Sequence, residues 1–303
     1  MVSACRFPIL FSLFFSLAQV AFGQGRIDCN AIKSRILAET VHFCVSLPAG
    51  YDAAVKAHSA PYPVLYFLHG LGENEQTLFS SGSWNTIEDL QQQKRIGDLL
   101  IVAPDGRQSF YINSADGKVR YSDFFVREFM PYIEGKYLVS RDRKGRGITG
   151  LSMGGYGALR LAFASPQLFS SVSAQSAALM TESPQQLNLA VRTGTPLGRL
   201  MGTVFGDPID AAHWRQNDPF LLAKKNQAAL RNQAIYFNCG DRDEYGFEKG
   251  AAALDRQLRA QGVRHEYHLY PGNHGFAYFM NHLGETIEFH WKAFQASGAA
   301  SKN

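Results

Sequence analysis

One short stretch, residues 150–155, constrains the fold of this chain more than any other. It reads Gly-Leu-Ser-Met-Gly-Gly and places Ser152 between glycines. Residues 146–149 lead into it like the end of a strand, and residues 156–164 have helical spacing. A strand, a tight turn through a serine and a helix are the context in which G-x-S-x-G exposes a nucleophile above a sheet. A Cβ on the glycine at either end of the motif is expected to crowd that turn.

Apolar runs alternate with amphipathic stretches along the rest of the chain. The runs 63–68 and 99–103 are almost continuously apolar, which is typical of central strands buried on both faces. Residues 121–137 have the spacing of a helix, which Pro131 is expected to bend. The alternation predicts a mostly parallel, doubly wound sheet with helices on both faces and ligands beyond the carboxyl ends of the strands. Further strands are predicted over 36–47, 169–174, 234–238 and 265–270, and further helices over 246–261 and 276–294.

The domain organisation follows from length and rhythm. A chain of 303 residues, 46% of them hydrophobic, can build one large core, and we predict a single α/β domain over 24–303. Residues 177–233 interrupt the rhythm with many glycines and prolines. Such an insertion is typically a lid or one wall of the substrate site. The net charge of +4 is small and scattered, so we expect no nucleic acid partner.

A reactive serine needs a general base, and the base needs a carboxylate that orients it. In a sheet of this kind they follow in the order serine, acid, histidine. Among the nine histidines, His274 lies in a glycine-flanked loop between the last predicted strand and the last helix, and it is the candidate base. His69 precedes the serine in the chain and is interpreted as a residue that shapes its own loop.

The acid is expected in the loop that follows the predicted strand 234–238. Three carboxylates compete there: Asp241, Asp243 and Glu244. Asp241 lies so close to the strand end that it can cap the turn or pair with Arg242. Asp243 is far enough out to turn back toward a histidine and is favoured, although the residues alone leave its neighbours open.

Two backbone N–H groups are expected to stabilise an oxyanion formed at Ser152. One belongs to Met153, the next residue, and the other to Leu71 in the His-Gly-Leu-Gly loop after the strand 63–68. The helix that begins after Ser152 adds a partial positive charge.

The sequence gives no indication of a metal or a cofactor. His265 and His268 are spaced so that they point to opposite faces of a strand, which does not suit a shared metal ion. There is no phosphate loop with a following lysine and no dinucleotide fingerprint at the start of the sheet.

The N-terminus has the pattern of a secretory signal peptide. Arg6 precedes the apolar segment 7–22, which is shorter than the ~20 residues of a membrane span. Small residues before Gln24 predict cleavage after Gly23, hence a signal peptide over 1–23 and a secreted or periplasmic protein without stable membrane insertion. An uncleaved membrane anchor is the alternative.

Cleavage at that point would leave three cysteines. Cys29 and Cys44 flank a segment expected to pair as a hairpin, and an exported chain can form a disulfide between them. Cys239 lies at the end of an apolar strand and is predicted to be a buried free thiol.

Six different short motifs occur along residues 36–294. They are Leu47-Pro-Ala-Gly-Tyr-Asp52, Leu68-His-Gly-Leu-Gly-Glu-Asn74, Pro104-Asp-Gly106, Gly150 to Gly155, Gly240-x-x-Asp243 and Pro271-Gly-x-His274. Together they resemble the esterase D-like family of α/β-hydrolases. That family includes S-formylglutathione hydrolases, feruloyl-type carboxylesterases and mycolyltransferases.

The resemblance implies an α/β-hydrolase fold and a site in matching positions of this chain. It implies a catalytic triad of Ser152, Asp243 and His274, with the amides of Leu71 and Met153 as the oxyanion hole. The Gly-x-x-Asp spacing favours Asp243 over the neighbouring carboxylates.

Trp84 resembles an aromatic residue that lines the site of feruloyl-type members, and a core tryptophan is the alternative. The signal segment departs from the cytosolic thioesterase members. We therefore predict an exported serine carboxylesterase that hydrolyses short acyl or aryl esters of feruloyl or acetyl type, with a small-molecule or carbohydrate-linked substrate. The alternatives are acyl transfer to a sugar or other alcohol, S-formylglutathione-type thioester hydrolysis, and a non-catalytic binding role on the same fold.

Overall fold

The computed structural model describes residues 25–80, 82–194 and 196–300 of the chain. Within these ranges, eight strands form one sheet. In chain order they are β1 (Arg26–Ser34), β2 (Glu39–Leu47), β3 (Val64–Leu68), β4 (Leu100–Pro104), β5 (Arg146–Gly150), β6 (Ser171–Gln175), β7 (Ala234–Gly240) and β8 (Glu266–Tyr270).

Helices connect most of these strands and form an inserted segment between β6 and β7. They are α1 (Tyr51–Lys56), α2 (Ser83–Gln92), α3 (Tyr121–Phe124), α4 (Met130–Lys136), α5 (Met153–Ala164), α6 (Pro184–Arg192), α7 (Pro196–Phe205), α8 (Ala211–Asn217), α9 (Pro219–Lys225), α10 (Gln227–Leu230), α11 (Phe247–Ala260) and α12 (Phe276–Ala296), with a π-helical turn at Phe125–Phe129 and a 3-10 turn at Arg143–Gly145.

The sheet has the order β1-β2-β4-β3-β5-β6-β7-β8. β2 pairs antiparallel with β1 and β4, and the remaining neighbours are parallel. This confirms the predicted α/β-hydrolase architecture. Since β3 and β5 to β8 run parallel, their carboxyl ends, and the loops that follow them, meet at one edge of the sheet.

The first hairpin contains the predicted disulfide. Cys29 lies opposite Cys44 in the β1–β2 register, and the two sulfur atoms are bonded. The predicted strand 36–47 is shorter in the structure, because residues 35–38 form the hairpin turn and Ala38 adopts φ 56° there. Cys239 is a buried free thiol, as predicted.

Alternate residues of the central strands enter two apolar layers. In β3, Val64, Tyr66 and Leu68 belong to the larger cluster. Leu65 and Phe67 belong to the second cluster, with α2 and α12. Strict alternation with both sets fully buried explains why the sequence reads as a continuous apolar run at this strand.

The helix predicted over 121–137 is interrupted rather than simply bent. Its middle turn, Phe125–Phe129, is π-helical and lies between α3 and α4. Pro131 occupies the first turn of α4. Proline has no N–H to donate to a carbonyl one turn earlier, so one backbone hydrogen bond of the helix is missing before it. The wider π-helical turn accommodates this missing bond.

The predicted insertion 177–233 folds into the short helices α6 to α10. α9 packs on α5, and α6 packs on α7. The predicted signal peptide, 1–23, lies outside the described residues. Across the ranges that are described, no helix combines the length and apolar character that a membrane span requires.

Candidate active site

Ser152 occupies the turn between β5 and α5. Its backbone has φ 51° and ψ −113°, a region that non-glycine residues rarely adopt. Its N–H donates to the carbonyl of Gln175 at 2.9 Å, and its own carbonyl accepts the N–H groups of Tyr156 and Ala178 at 2.9 and 3.0 Å. Strain of this kind persists where the surroundings fix the backbone, and it concentrates at functional sites.

Two glycines make this turn possible. A Cβ on Gly150 would lie 2.3 Å from the carbonyl oxygen of Gly154. A Cβ on Gly154 would lie 2.0 Å from the carbonyl oxygen of Leu68. Because both obstacles are backbone atoms of the sheet and the turn itself, neither can move aside. The expectation that a side chain at either position would crowd the turn is confirmed.

The loops after β7 and β8 bring Asp243 and His274 to Ser152. His274 Nε2 lies 2.9 Å from Ser152 Oγ, and His274 Nδ1 lies 2.7 Å from Asp243 Oδ2. A carboxylate can only accept, so Nδ1 carries the proton of the neutral ring and Nε2 is left to accept from the hydroxyl. The arrangement can remove a proton from Ser152 and return it to another oxygen.

The Asp243 carboxylate is buried but remains ionised. Burial raises its pKa, yet the hydrogen bond and charge of His274 and the N–H of Tyr245 outweigh burial, so its pKa lies below the ordinary value. The Tyr245 N–H donates to Oδ1 at 3.0 Å. Cys239 lies on the other side, with Sγ 3.6 Å from Oδ2, and burial raises the pKa of that thiol to about 12. The thiol therefore stays neutral beside the carboxylate.

The two competing carboxylates have other partners. Asp241 Oδ1 lies 3.5 Å from Arg242 Nε, which is one of the two roles that the sequence left open for it, and it also accepts the N–H of Gly272 in the β8 loop at 3.0 Å. Glu244 Oε2 accepts the backbone N–H of His274 at 2.8 Å. Both carboxylates thus hold the β7 and β8 loops together, whereas Asp243 alone of the three contacts the His274 ring.

Met153 and Leu71 are the two residues predicted to donate to an oxyanion. Met153 is the first residue of α5, so its N–H has no acceptor within the helix. Leu71 follows β3, and both residues line the same cavity as Ser152. The loop of Leu71 is fixed by Glu73, whose Oε2 accepts the N–H of Gly70 at 2.7 Å.

His69 shapes this loop from below. Its ring is fully buried, with Nδ1 2.8 Å from the carbonyl oxygen of Gly70 and Nε2 accepting the N–H of Gly106 at 2.8 Å. The hydroxyl of Tyr111 donates to the His69 carbonyl at 3.1 Å. Both ring nitrogens are therefore engaged by the backbone, in agreement with the loop-shaping role predicted for this histidine.

A cavity of about 1050 Å³ opens over Ser152. Its walls come from distant segments: the β1–β2 turn, residues 107–119, α7 and the β7 and β8 loops. Phe110 forms part of one wall, and its ring contacts Tyr156 and Phe205 edge-on. α7 contributes Leu200 and Val204, so the insertion supplies part of the cavity wall.

Aromatic rings surround the His274 imidazole. The rings of Tyr245, Phe247 and Phe279 approach it edge-on, with centroid distances of 4.9, 5.4 and 5.4 Å. These contacts restrict the rotation of the imidazole, while its two nitrogens point toward Asp243 and Ser152. The ring is therefore held in one orientation by packing as well as by hydrogen bonds.

Trp84 lies away from the cavity that contains Ser152. It lies on α2, where its ring contacts Phe79 edge-on at 6.4 Å and packs against the second apolar cluster. It is not among the residues that line the cavity. This position matches the alternative of a packing tryptophan and lends no support to a role in substrate binding. In the part of the chain that the structure describes, no group of three His, Cys, Asp or Glu residues could hold a metal ion.

The fold and this geometry agree with a match to a known family. The Esterase family, described as "Putative esterase", matches residues 34–289. The chain belongs to the Esterase family. Among the relatives of this esterase-family protein is Esterase Rv1288 of Mycobacterium tuberculosis, which is 28% identical over 249 residues, 77% of this chain and 52% of the relative. The chain thus spans about half the length of that relative.

Solved structures share the fold. A ferulic acid esterase superposes with a TM-score of 0.75 at 24% identity and covers 89% of this chain and 99% of its own. An S-formylglutathione hydrolase from Staphylococcus aureus superposes with a TM-score of 0.71 at 22% identity, over 88% of this chain and 99% of its own. At these identities the likeness concerns the fold.

Some residues around the site were not expected from the sequence. Glu73 lies just after the His-Gly-Leu-Gly loop, and its carboxylate could have been recognised as a partner for an N–H of that loop. Tyr245 and Phe276 flank the two predicted loops, but their exposure at the cavity could not be read from the sequence. Residues 107–119 carry no chemical motif, and only the folded chain places them in a wall.

Proposed function

We propose that the chain is a serine carboxylesterase that acts through an acyl-enzyme. The observation that carries this proposal is the continuous line of hydrogen bonds from Ser152 Oγ through His274 to Asp243. It lies on a strained turn at the mouth of a cavity large enough for an ester with an aryl acyl group. Membership of the Esterase family supports it.

In the proposed reaction, His274 takes the Ser152 proton as Oγ attacks the ester carbonyl carbon. The N–H groups of Leu71 and Met153 stabilise the oxyanion of the tetrahedral intermediate. His274 then gives the proton to the leaving alcohol as the carbonyl carbon–alcohol oxygen bond breaks. Water, activated by the same ring, releases the acid from Ser152, and Asp243 holds the ring tautomer throughout.

Labelling with a fluorophosphonate probe tests the nucleophile. The wild-type protein should be labelled at Ser152, and Ser152→Ala should not be labelled while keeping its thermal unfolding profile. The release of p-nitrophenol from p-nitrophenyl acetate should fall by several orders of magnitude in Ser152→Ala and His274→Ala. A folded wild-type protein that neither reacts with the probe nor hydrolyses the ester would contradict the proposal.

Substitutions of two neighbouring aspartates, Asp243 and Asp241, test which carboxylate orients His274. Asp243→Asn removes the acceptor of the Nδ1 proton and should lower kcat about 10⁴-fold, as an orienting aspartate does in a serine triad. Asp241→Asn, two residues away, changes only a loop contact and should retain most of kcat. Equal losses in the two variants would refute the assignment of Asp243.

We also propose that the protein is exported, that cleavage after Gly23 leaves one domain over 24–303, and that the insertion 177–233 acts as a lid or wall. The Cys29–Cys44 disulfide supports export, since such bonds persist in oxidising compartments. N-terminal sequencing of the mature protein should begin at Gln24, and an unprocessed N-terminus would contradict cleavage.

We also propose that the ester substrate has an acyl group of acetyl or feruloyl type.

A further inference from the structure

The Asp243 carboxylate is closed off from solvent, so its orientation depends on donors that the protein supplies. Its side chain is 0% exposed. Oδ1 accepts the N–H of Tyr245 at 3.0 Å, and Oδ2 accepts the Nδ1 proton of His274 at 2.7 Å. A carboxylate can accept about four hydrogen bonds, two at each oxygen. Oδ2 can therefore accept from a second donor beside the imidazole.

The thiol of Cys239 is a donor at this position. Cys239 is fully buried in β7, and the loop that follows brings Asp243, four residues further along the chain, back against it. Sγ lies 3.6 Å from Oδ2, the oxygen that also accepts from His274. Burial raises the pKa of Cys239 to about 12, so the thiol keeps its proton. Because a carboxylate can only accept, the S–H is the donor in this contact.

A buried hydroxyl lies on the far side of the thiol. Ser176 follows β6, the strand next to β7, and it is fully buried. Its backbone has φ 40°, which non-glycine residues rarely adopt, and its N–H donates to the carbonyl of Asn238 at 2.8 Å. The Ser176 hydroxyl faces the Cys239 thiol. A hydroxyl that donates to Sγ leaves the S–H to point away from Ser176 and toward Asp243.

We propose that Cys239 is a positioning residue for the hydrolytic reaction, and that its S–H holds the Asp243 carboxylate with Oδ2 facing the His274 ring. The inference rests on the proposed esterase function. Cys239 does not line the cavity, so it acts through Asp243 rather than on the ester. Without the S–H, Oδ2 loses one of its two donors, and the carboxylate can rotate about its Cβ–Cγ bond. The imidazole is then held less well in the tautomer and orientation that the reaction needs.

The place of this hydrogen bond predicts which kinetic constants it changes. His274 moves a proton in the acylation of Ser152 and again in the release of the acid, and Asp243 orients the ring in both steps. Loss of the S–H should therefore slow both steps by a similar factor. kcat falls, whereas KM stays nearly constant, because ester binding and the ratio of the two rates are unchanged.

Three variants separate the donor from the packing of the side chain. Cys239→Ala removes the S–H and should lower kcat for p-nitrophenyl acetate about tenfold, with KM within about twofold of wild type. Cys239→Ser has nearly the volume of the alanine variant but restores a donor, so its kcat should stay within about threefold of wild type. Ile235→Val removes one carbon at another buried position of the same strand and should match wild type. kcat is expressed per Ser152 labelled by the fluorophosphonate probe, so that misfolded protein is not counted.

Infrared spectroscopy observes the hydrogen bond directly. The difference between the spectra of wild type and Cys239→Ala isolates the S–H stretching band of Cys239. A thiol that donates to a carboxylate absorbs at a lower frequency than a free thiol. Asp243→Ala removes the acceptor, and the band, isolated in the same way in that variant, should move to higher frequency. A cysteine that only fills space would show no such shift.

The results separate the inference from the proposed function. Equal losses of kcat in Cys239→Ala and Cys239→Ser, or no loss in Cys239→Ala, would overturn the positioning role and leave the esterase intact. An S–H band that does not move in Asp243→Ala would overturn the hydrogen bond on which that role depends. If wild type hydrolyses no ester and Ser152 is not labelled, the proposed function fails, and the positioning role fails with it.

Discussion

His290 should make the stability of this protein fall steeply below neutral pH. The ring is fully buried on α12, under β5 and β6. Nδ1 lies 2.7 Å from the Ser171 hydroxyl and Nε2 lies 2.8 Å from the Ser173 hydroxyl, which in turn donates to Thr149 at 2.6 Å. Two hydroxyls satisfy a neutral imidazole, but they supply no charge to balance a protonated one. Burial lowers the pKa of His290 to about 3.

The sign and size of the effect follow from proton linkage. Below a pKa of about 6.5 the unfolded chain binds a proton at His290, and the folded protein does so only near its own lowered pKa of about 3. The stabilisation is therefore complete above pH ~6.5 and is lost as the pH falls toward 3. Within that window one group contributes about 1.4 kcal/mol per pH unit, or about 3 kcal/mol between pH 7 and pH 4.5.

Urea unfolding at pH 7 and at pH 4.5 measures this loss. His290→Gln keeps hydrogen-bonding groups but cannot be protonated, so it should lose about 3 kcal/mol less than wild type over the same interval. It is expected to be less stable than wild type at pH 7, because the packing changes, and only the difference between the two pH values is compared. His58→Asn, on an exposed histidine, should follow wild type. Equal losses in wild type and His290→Gln would refute the argument.

Three further perturbations have defined outcomes. Gly154→Ala should lower the free energy of unfolding, measured in urea, by ~3 kcal/mol or more and abolish esterase activity. In the control Gly50→Ala the new Cβ meets open space, so the free energy of unfolding should change by less than about 0.5 kcal/mol. A stable, active Gly154→Ala would contradict the close approach of the backbone at this glycine. Glu73→Ala should lower kcat about tenfold, because the loop that contains Leu71 loses the acceptor of the Gly70 N–H. Glu73→Gln should keep most of kcat, because its amide oxygen still accepts that N–H. Equal kcat values for wild type and Glu73→Ala would exclude a positioning role for Glu73. Removing the disulfide in the Cys29→Ala, Cys44→Ala double variant should lower the free energy of unfolding by about 3 kcal/mol, and dithiothreitol should then destabilise wild type but not the variant.

Chain order and strand ends were enough to predict that Ser152, Asp243 and His274 lie close together. Ser152, Asp243 and His274 each follow a parallel strand, and parallel strands end at one edge. The glycines around Ser152 have a steric reason that can be stated without coordinates. The choice between Asp241 and Asp243 was harder, since both follow β7 within four residues, and the side-chain contact to the imidazole separates them.

The rest of the molecule depends on contacts that local pattern does not encode. α2 was not predicted although Ser83, Ile87 and Leu90 follow the spacing of one buried helix face, and it is that helix which packs against α12. The π-helical turn before Pro131 follows from a missing N–H, but the register of the interruption depends on how Phe125 and Phe129 pack against Tyr66. The sequence allowed two interpretations of Trp84, as a residue that lines the site or as a core residue. Its ring contact with Phe79 is a packing contact.

The division between catalysis and substrate choice has a structural cause. The reacting groups are held by the sheet itself, through strand ends and backbone hydrogen bonds that tolerate almost no change, as the clash at Gly154 shows. The cavity walls come from residues 107–119, α7 and the rings beside His274, which meet only in the folded chain and are joined to the sheet by loops. A substitution in residues 107–119 or in α7 changes the shape offered to an ester without moving Ser152 relative to its base, whereas the rings beside His274 also hold the imidazole. Substrate choice in this protein should therefore vary with residues 107–119 and α7 while the hydrolytic step stays constant.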